Sequence, residues 1–586
     1  MCGFLFVKYR SSKDNELQNN FFEQECNNFI KSRGPSYQEI YKSNSMFIYQ
    51  STLAIQSNLI KSNNLSSLGS KRFILYNGEI YSFNKEKYIS DTEYINYLSR
   101  EEILENQLPD IDGMYAIGDF LRTYDDQIIC SAFRDPVGEK HLWYYFGDDI
   151  FILSSVPAII RKFHNYKSNL SINKNAIDDY LQRRHLISPI DHPIKNISNL
   201  KPGHKLFFKS DDWFLTETQF FKYESLFSKD LYIELSKISQ KEYNSLFNKI
   251  FEETLEIMES SSSRDENSSC IISGGLDSSI VGGFLLKKKQ DTNIYTMTFR
   301  DKDPVSKNAK KVLSKKYKYD NIFHKVIECD LTTYQKSLSR SIAILSSPVN
   351  THSIPSSYIV AKTSQSDGNL ILYGGEGADE IFLGYECYRN LNNKSSDYNG
   401  IINKFNFDKE LKQRVLSSKT ENHINNFKGF LKEYLSSQNV LNKSHLNIKV
   451  ESFADIFIQL NNVGLMSTDT VNSDSGIECR TPFVRKKLLK FAISSPVERL
   501  INFDNKFRFN KVPIREKFIE YFGEESIMPK IGFAGFPNET KAYLGDKKNW
   551  KVWEFLEWKD FINFDLDQVE EWKIINLEWF LREISI

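Results

Sequence analysis

Three places in the 586-residue sequence carry residue types spaced for chemistry. Cys2 stands directly behind the initiator methionine, in MCGFLFVKYR. Removal of Met1 in front of a small residue would leave Cys2 with both a thiol and a free α-amine. Such an amine titrates near about pH 8 and can act as base to a thiol that attacks as its thiolate. Taken alone, this cysteine reads first as a small apolar residue opening a buried strand. The second place is CIISGGLDSSIVGGFLL, residues 270–286. An apolar strand ending at Ile272 passes through Ser273, Gly274 and Gly275 into a helix beginning around Asp277, Ser278 and Ser279. Glycines let backbone approach phosphate oxygens, and the N–H groups of a helix start attract anions. Asp277 would repel a bare phosphate, so it fits there as a ligand to Mg²⁺ that neutralises pyrophosphate. The lysine of a GxxxxGKS phosphate loop is missing. The third place, LILYGGEGADEIFLGY at 370–385, again puts glycines at the end of an apolar strand, with Glu376, Asp379 and Glu380 behind them. Carboxylates clustered beside a phosphate loop imply a divalent metal; capping of a helix by Asp379 and Glu380 is the simpler reading, and the two can coexist.

These residues need elements to hold them. Residues 1 to about 160 read as short β-rich runs (FLFVKY, SMFIYQSTLAI, RFILYNGEIY, GMYAIGDFL, QIICSAF, LWYYF, IFILSS) separated by polar turns and helical stretches such as DTEYINYLSREEIL. That pattern predicts an α+β unit of layered antiparallel sheets. Pro202-Gly203 marks a turn near its edge. From about residue 235, helical patterns alternate with apolar strands at 270, 294 and 369, which predicts an α/β unit with a parallel sheet and extra helices. Two glycine loops at strand ends of one parallel sheet would meet in the crevice where such sheets bind ligands. The division expected is 1–210 and 235–586.

Composition narrows the classes. Lys plus Arg number 76 against 76 Asp plus Glu, and the pI is about 7.1, a poor match to a nucleic-acid scavenger or polybasic membrane binder. Seven scattered cysteines without a CxxC pair argue against a disulfide framework or zinc site. No run reaches the roughly eighteen apolar residues of a membrane span, and FLFV is followed at once by KYRSSKDNE, unlike a signal peptide. The expectation is a cytoplasmic protein without membrane or nucleic-acid partners; a homodimer stays open.

At this point the motifs resemble a known family. SGGLDSS resembles the pyrophosphate loop of N-type ATP pyrophosphatases, and with YGGEGADEIFLGY it resembles the synthetase domain of glutamine-hydrolysing asparagine synthetases. MCG at 1–3, RGP at 33–35, NGEIY at 77–81, SDTE at 90–93, DGMYA at 112–116 and RDPVGEKHLWYY at 134–145 are similar to their class II glutamine amidotransferase domain. GIECRTPF at 476–483, KVPIREKF at 511–518 and NLEWFL at 576–581 resemble C-terminal segments of the same enzymes, so the landmarks run along nearly the whole chain. The resemblance implies that Cys2 attacks the side-chain amide of glutamine and releases ammonia. Asn77 and Gly78 would stabilise the oxyanion, and Glu79 and Asp91 would hold the amino group. Thr52 and Leu53 stand at further glutamine-binding positions. It also implies that ATP with Mg²⁺ activates an acceptor carboxylate as an acyl-adenylate. Ser273, Gly274, Gly275, Asp277 and Ser278 of the pyrophosphate loop, with Glu376, would bind ATP. Ile272, Phe299, Tyr373 and Gly374 would line the adenine and ribose site, Asp277 and Asp379 would bind metal, and Lys511 would stabilise developing charge.

The sequence departs from that pattern at three places. Thr52 stands where the family has an arginine that clamps glutamine's carboxylate, and a hydroxyl cannot replace a bidentate cation. Ser347 occupies the glutamate place of a D-E-P-like run, and Arg485 stands where PFLD-type segments carry Asp. The phosphate machinery is kept while the acceptor region is altered. Aspartate is the default acceptor. The rivals are another carboxylate such as a sugar uronic acid or biosynthetic intermediate, intramolecular lactam formation, and a non-catalytic binding protein.

Overall fold

The computed structural model describes residues 2–11, 14–55, 71–84, 86–182, 191–262, 268–289, 292–299, 304–316, 322–349, 351–392, 418–505, 510–528, 535–536, 538–557 and 568–584. Sixteen strands appear among them: β1 Cys2–Tyr9, β2 Tyr37–Lys42, β3 Met46–Thr52, β4 Arg72–Ile80, β5 Gly113–Arg122, β6 Ile128–Arg134, β7 Trp143–Phe146, β8 Ile150–Ser154, β9 Ser198–Asn199, β10 His204–Lys209, β11 Phe214–Gln219, β12 Ser268–Ile271, β13 Asn293–Thr298, β14 His324–Glu328, β15 Ile371–Tyr373 and β16 Glu478–Arg480. They make two antiparallel sheets, β2-β3-β1-β8-β7-β9 and β11-β10-β6-β5-β4, and one parallel sheet, β14-β13-β12-β15-β16.

The N-terminal unit is α+β with antiparallel sheets between helices, as the run of short strands predicts. Its layering follows from period-2 alternation in strands buried on both faces. In β1, Phe4 and Phe6 face the second sheet, where Phe6 lies 4.4 Å from the Phe120 ring and Phe120 stacks on Phe73. Leu5, Val7 and Tyr9 turn the other way, onto Phe22 of helix Glu16–Phe29 and Phe163 of helix Pro157–Tyr166. In β4, Ile74, Tyr76 and Ile80 pack outward on Ile95 and Leu98 of helix Asp91–Arg100. Each such fully buried large side chain contributes roughly 1.5–3 kcal/mol. The C-terminal unit is α/β, as the strand–helix alternation predicts, with the parallel sheet flanked by helices that include Leu276–Lys288 and Ser353–Ser366. Among the described residues, no helix is long and apolar enough to cross a membrane.

The two units are joined by buried charge. Asp469, from the C-terminal unit, accepts 2.9 Å from Arg33 and 2.8 Å from the His141 backbone, and lies 3.4 Å from Lys140. Burial alone would push its carboxyl up, but Arg33, Lys140 and His141 outweigh burial and hold it far below the usual range. Removing one partner of such a group strands the others without solvent. Asp469→Asn is therefore expected to cost about 3–5 kcal/mol, seen as a lowered thermal unfolding midpoint; an unchanged midpoint would refute the account.

Candidate active sites

The first site forms where β1 begins. Cys2 pairs with Thr52 across the β1–β3 ladder, and its N–H donates to Asn77 Oδ1 at 3.1 Å. Asn77 is fully buried, and among the described residues its Nδ2 finds no acceptor. A buried amide N–H₂ without an acceptor, beside a thiol, is an unspent donor for an oxyanion. Gly78 follows in β4, opposite Tyr115 of β5. A Cβ there would lie 2.2 Å from the Met114 carbonyl, so glycine is what permits this close pairing. Burial pushes the Cys2 thiol up, opposed by hydrogen bonds from the Leu53 backbone and the Thr52 side chain. Thr52 stands opposite Cys2 on the ladder, and Leu53 follows it.

Ser90 caps helix Asp91–Arg100 by accepting from the Glu93 N–H at 3.2 Å, which frees Asp91 to turn inward. Its carboxylate accepts from the Tyr76 hydroxyl at 2.7 Å and the Ile80 N–H at 3.1 Å. Burial pushes this carboxyl up against those hydrogen bonds. Glu79, also buried, faces Arg480 from the C-terminal sheet at 3.8 Å. Lys71 and Arg72, cations of the same strand entry, lie elsewhere: Lys71 sits over the Tyr124 ring, and Arg72 pairs with Asp119 at 3.2 Å.

The second site is a cavity of about 410 Å³ in the C-terminal unit. Both glycine loops reach it, with Ser273, Gly275, Asp277 and Ser278 on one side and Gly374, Glu376 and Asp379 on the other. Helix Leu276–Lys288 starts one residue before the expected Asp277. The Ser273 N–H donates to Ser278 Oγ at 3.2 Å, which closes the loop into a cradle. The loops come so close that a Cβ on Gly375 would lie 2.9 Å from Asp277 Cβ. Gly274, at φ +78°, turns the chain beside Asn308. Ile272 and Tyr373 are fully buried beneath, while Phe299 packs 5.5 Å from Phe536 and 6.5 Å from Tyr334, away from the lining.

Lys511 joins the two loops. Its ammonium is 2.6 Å from Asp277 and 2.8 Å from Asp379. It reaches them across Gly384, where a Cβ would come within 2.0 Å of Lys511 Cε. Burial would pull this lysine down, and the two carboxylates raise it instead. Burial and Asp277 push Glu376 up, and burial with Asp379 pushes Glu380 up to about 7. This is an anion-rich pocket with one bridging cation. Among the described residues no group of three or more metal-ligating side chains forms a cage. Two hard carboxylates beside a phosphate cradle instead suit Mg²⁺, which is usually held by one or two carboxylates plus the phosphates themselves.

The cavity also contains residues the sequence did not flag. Thr351, Ser353, Ser357 and Ser467 add hydroxyls, and Gln459 lies in a π-helical stretch, Asp455–Leu465, a distortion common at functional sites. Gln459 Oε1 is buried and has no hydrogen-bond partner among the described residues. Ser347 is not on the wall; its hydroxyl donates to the Pro348 carbonyl at 2.8 Å. Arg485 also stands apart from the cavity. It reaches across to Glu139 and Asp112 and lies 5.0 Å over the Tyr81 ring.

Residues 253–550 match the model of the asparagine synthase family, and residues 1–221 match that of the glutamine amidotransferase domain. The chain is 22% identical over 541 residues to asparagine synthetase [glutamine-hydrolyzing] 1 of Bacillus subtilis, covering 85% of this chain and 82% of that protein. It is 26% identical over 330 residues to putative asparagine synthetase [glutamine-hydrolyzing] 2 of Methanocaldococcus jannaschii, covering 54% and 59%. A solved structure described as the allosteric regulatory enzyme of purine biosynthesis aligns with 56% of this chain and 80% of its own, at TM-score 0.26 and 11% identity.

Proposed function

The chain belongs to the glutamine-hydrolysing asparagine synthetase family, and from that premise we propose that it converts aspartate to asparagine with ammonia from glutamine and energy from ATP. The observation that carries the synthetase half is the Lys511 bridge between Asp277 and Asp379, which line the same cavity as the serine–glycine cradle. The glutaminase half rests on the buried Asn77 amide beside Cys2.

In this reading Cys2 Sγ attacks the glutamine amide carbon. The oxyanion takes hydrogen bonds from Asn77 Nδ2 and the Gly78 N–H, and collapse to the thioester expels ammonia. Water then releases glutamate. Glu79 and Asp91 bind the substrate ammonium by opposite charge. In the second cavity the acceptor carboxylate attacks the α-phosphorus of ATP and pyrophosphate leaves. Ammonia adds to the acyl-adenylate carbon, and AMP departs. Ser273, Gly274, Gly275 and Ser278 form the phosphate cradle in this scheme, Glu376 belongs to the same ATP pocket, Ile272, Tyr373 and Gly374 lie on the nucleoside side, and Lys511 meets charge developing on the phosphates. Asp277 and Asp379 would hold Mg²⁺, which when bound neutralises the leaving pyrophosphate.

A second acceptor class is favoured by one observation. Besides Ser273 and Ser278 of the cradle, the wall carries the hydroxyls of Thr351, Ser353, Ser357 and Ser467 and the Gln459 side-chain amide, a lining suited to a carboxylate on a hydroxylated body such as a sugar uronic acid. A panel of carboxylates assayed for pyrophosphate release with glutamine and MgATP decides between them. Robust asparagine formation at millimolar aspartate is expected. Turnover with a uronic acid and none with aspartate would overturn that acceptor.

A further inference from the structure

Glutamine enters as a zwitterion, and the residues around Cys2 are unbalanced towards one end of it. Glu79 and Asp91 are both carboxylates and both suit the ammonium. The carboxylate end needs a cation, and Thr52, which pairs with Cys2 across the β1–β3 ladder, has none to give. The neighbouring cations of the N-terminal unit are engaged elsewhere: Arg33 with Asp469 at 2.9 Å, Arg72 with Asp119 and Lys71 over Tyr124.

Arg480 arrives from the other unit. It ends β16, opposite Tyr373 of β15, and is fully buried. Its guanidinium is fixed on two sides. Nε lies 2.7 Å from Glu478 Oε1, and Nη1 donates to the Met258 carbonyl and, at 3.4 Å, to the Tyr373 hydroxyl. The remaining nitrogen, Nη2, lies 3.8 Å from Glu79 Oε1 and, among the described residues, has no acceptor within hydrogen-bond distance. A buried cationic donor without an acceptor is costly to maintain in a folded protein. The ammonium and carboxylate of an amino acid sit on the same carbon, so a ligand holding its ammonium against Glu79 brings its carboxylate beside Nη2.

We propose that Arg480, supplied by the synthetase sheet, is the cation that binds the α-carboxylate of glutamine in the amidotransferase pocket. The glutamine site is then completed across the interface between the two units, and Glu79 is shared between the substrate's ammonium and Arg480. This rests on the reading of Cys2 as a glutaminase nucleophile.

The test pairs a change in the protein with a change in the ligand. 4-Aminobutanamide is glutamine without its α-carboxylate. The wild-type chain is expected to favour glutamine over it in kcat/KM by on the order of a hundredfold, the worth of a buried charge-assisted pair. In Arg480→Met the preference should shrink towards unity, by loss of glutamine turnover alone, and adding Thr52→Arg to that variant should restore much of it. Equal loss on both compounds in Arg480→Met would mark the arginine as structural and overturn the proposal. If that variant does not fold, the wild type still decides: hydrolysis of both compounds at similar kcat/KM refutes a carboxylate contact. Hydrolysis of neither would instead sink the glutaminase reading on which it stands.

Discussion

Cys2→Ala is expected to abolish glutamine-dependent product while leaving synthesis from added ammonium salts. The side chain is small and buried at the first position of β1, so removing its sulfur creates little void and leaves the ladder to Thr52 intact. What disappears is the nucleophile, and no neighbour can replace it: the Thr52 hydroxyl on the same ladder is a far weaker attacking group at neutral pH. Residual hydrolysis of glutamine should therefore fall by several orders of magnitude, consistent with a step that depends on covalent attack. The synthetase cavity contains no part of β1, β3 or β4, and its walls come from segments beyond residue 270. Ammonia supplied from solution should reach the adenylate without help from Cys2. Measured side by side, glutamine- and ammonium-driven amide formation separate the two centres. If both vanish in a folded Cys2→Ala protein, the two centres are not independent and the scheme falls.

The parts of this architecture that the sequence announces are those set by local rules. Alternation over short runs such as FLFVKY and RFILYNGEIY gives antiparallel strands buried on both faces, because helices cover the outer sides. Strand–glycine–helix punctuation at Gly274 and Gly275 gives a parallel strand, a cradle and helix Leu276–Lys288. The carboxylates after Gly375 are legible for the same reason: motif and turn coincide. Long-range pairings escape because nothing local encodes them. Arg480 lies in a three-residue strand whose neighbours Glu478 and Thr481 look like ordinary polar positions. Only its partners Glu79, Tyr373 and Met258, from three distant segments, reveal where its guanidinium points. Gln459 is hidden for a second reason. The π-helical winding of Asp455–Leu465 that accompanies its place on the cavity wall carries no sequence signal. The departure at Arg485 is visible in sequence, but its consequence is not: an arginine that binds Glu139 and Asp112 across the interface, over Tyr81, is part of what holds the two units in register.

Asp277→Asn and Asp379→Asn should each cut pyrophosphate release by on the order of a thousandfold, since metal-assisted neutralisation of phosphate charge is worth several kcal/mol. The geometry makes the cause separable from a folding defect. Each carboxylate is only partly exposed, and the isosteric amide keeps its volume, so packing is conserved. Lys511 retains one carboxylate partner in either variant, at 2.6 or 2.8 Å, and is not left as an uncompensated buried charge. What each amide removes is a hard anionic oxygen from the cavity that Ser273 and Ser278 also line. Raising Mg²⁺ should recover part of the lost rate if the defect is metal affinity, whereas a lost fold would not respond. Glutamine hydrolysis should survive in both variants, because Cys2, Asn77 and Asp91 lie in the other unit. Near-normal adenylation in both would remove these aspartates from the metal site and leave Lys511 as their sole reason for being there: a structural staple between two glycine loops.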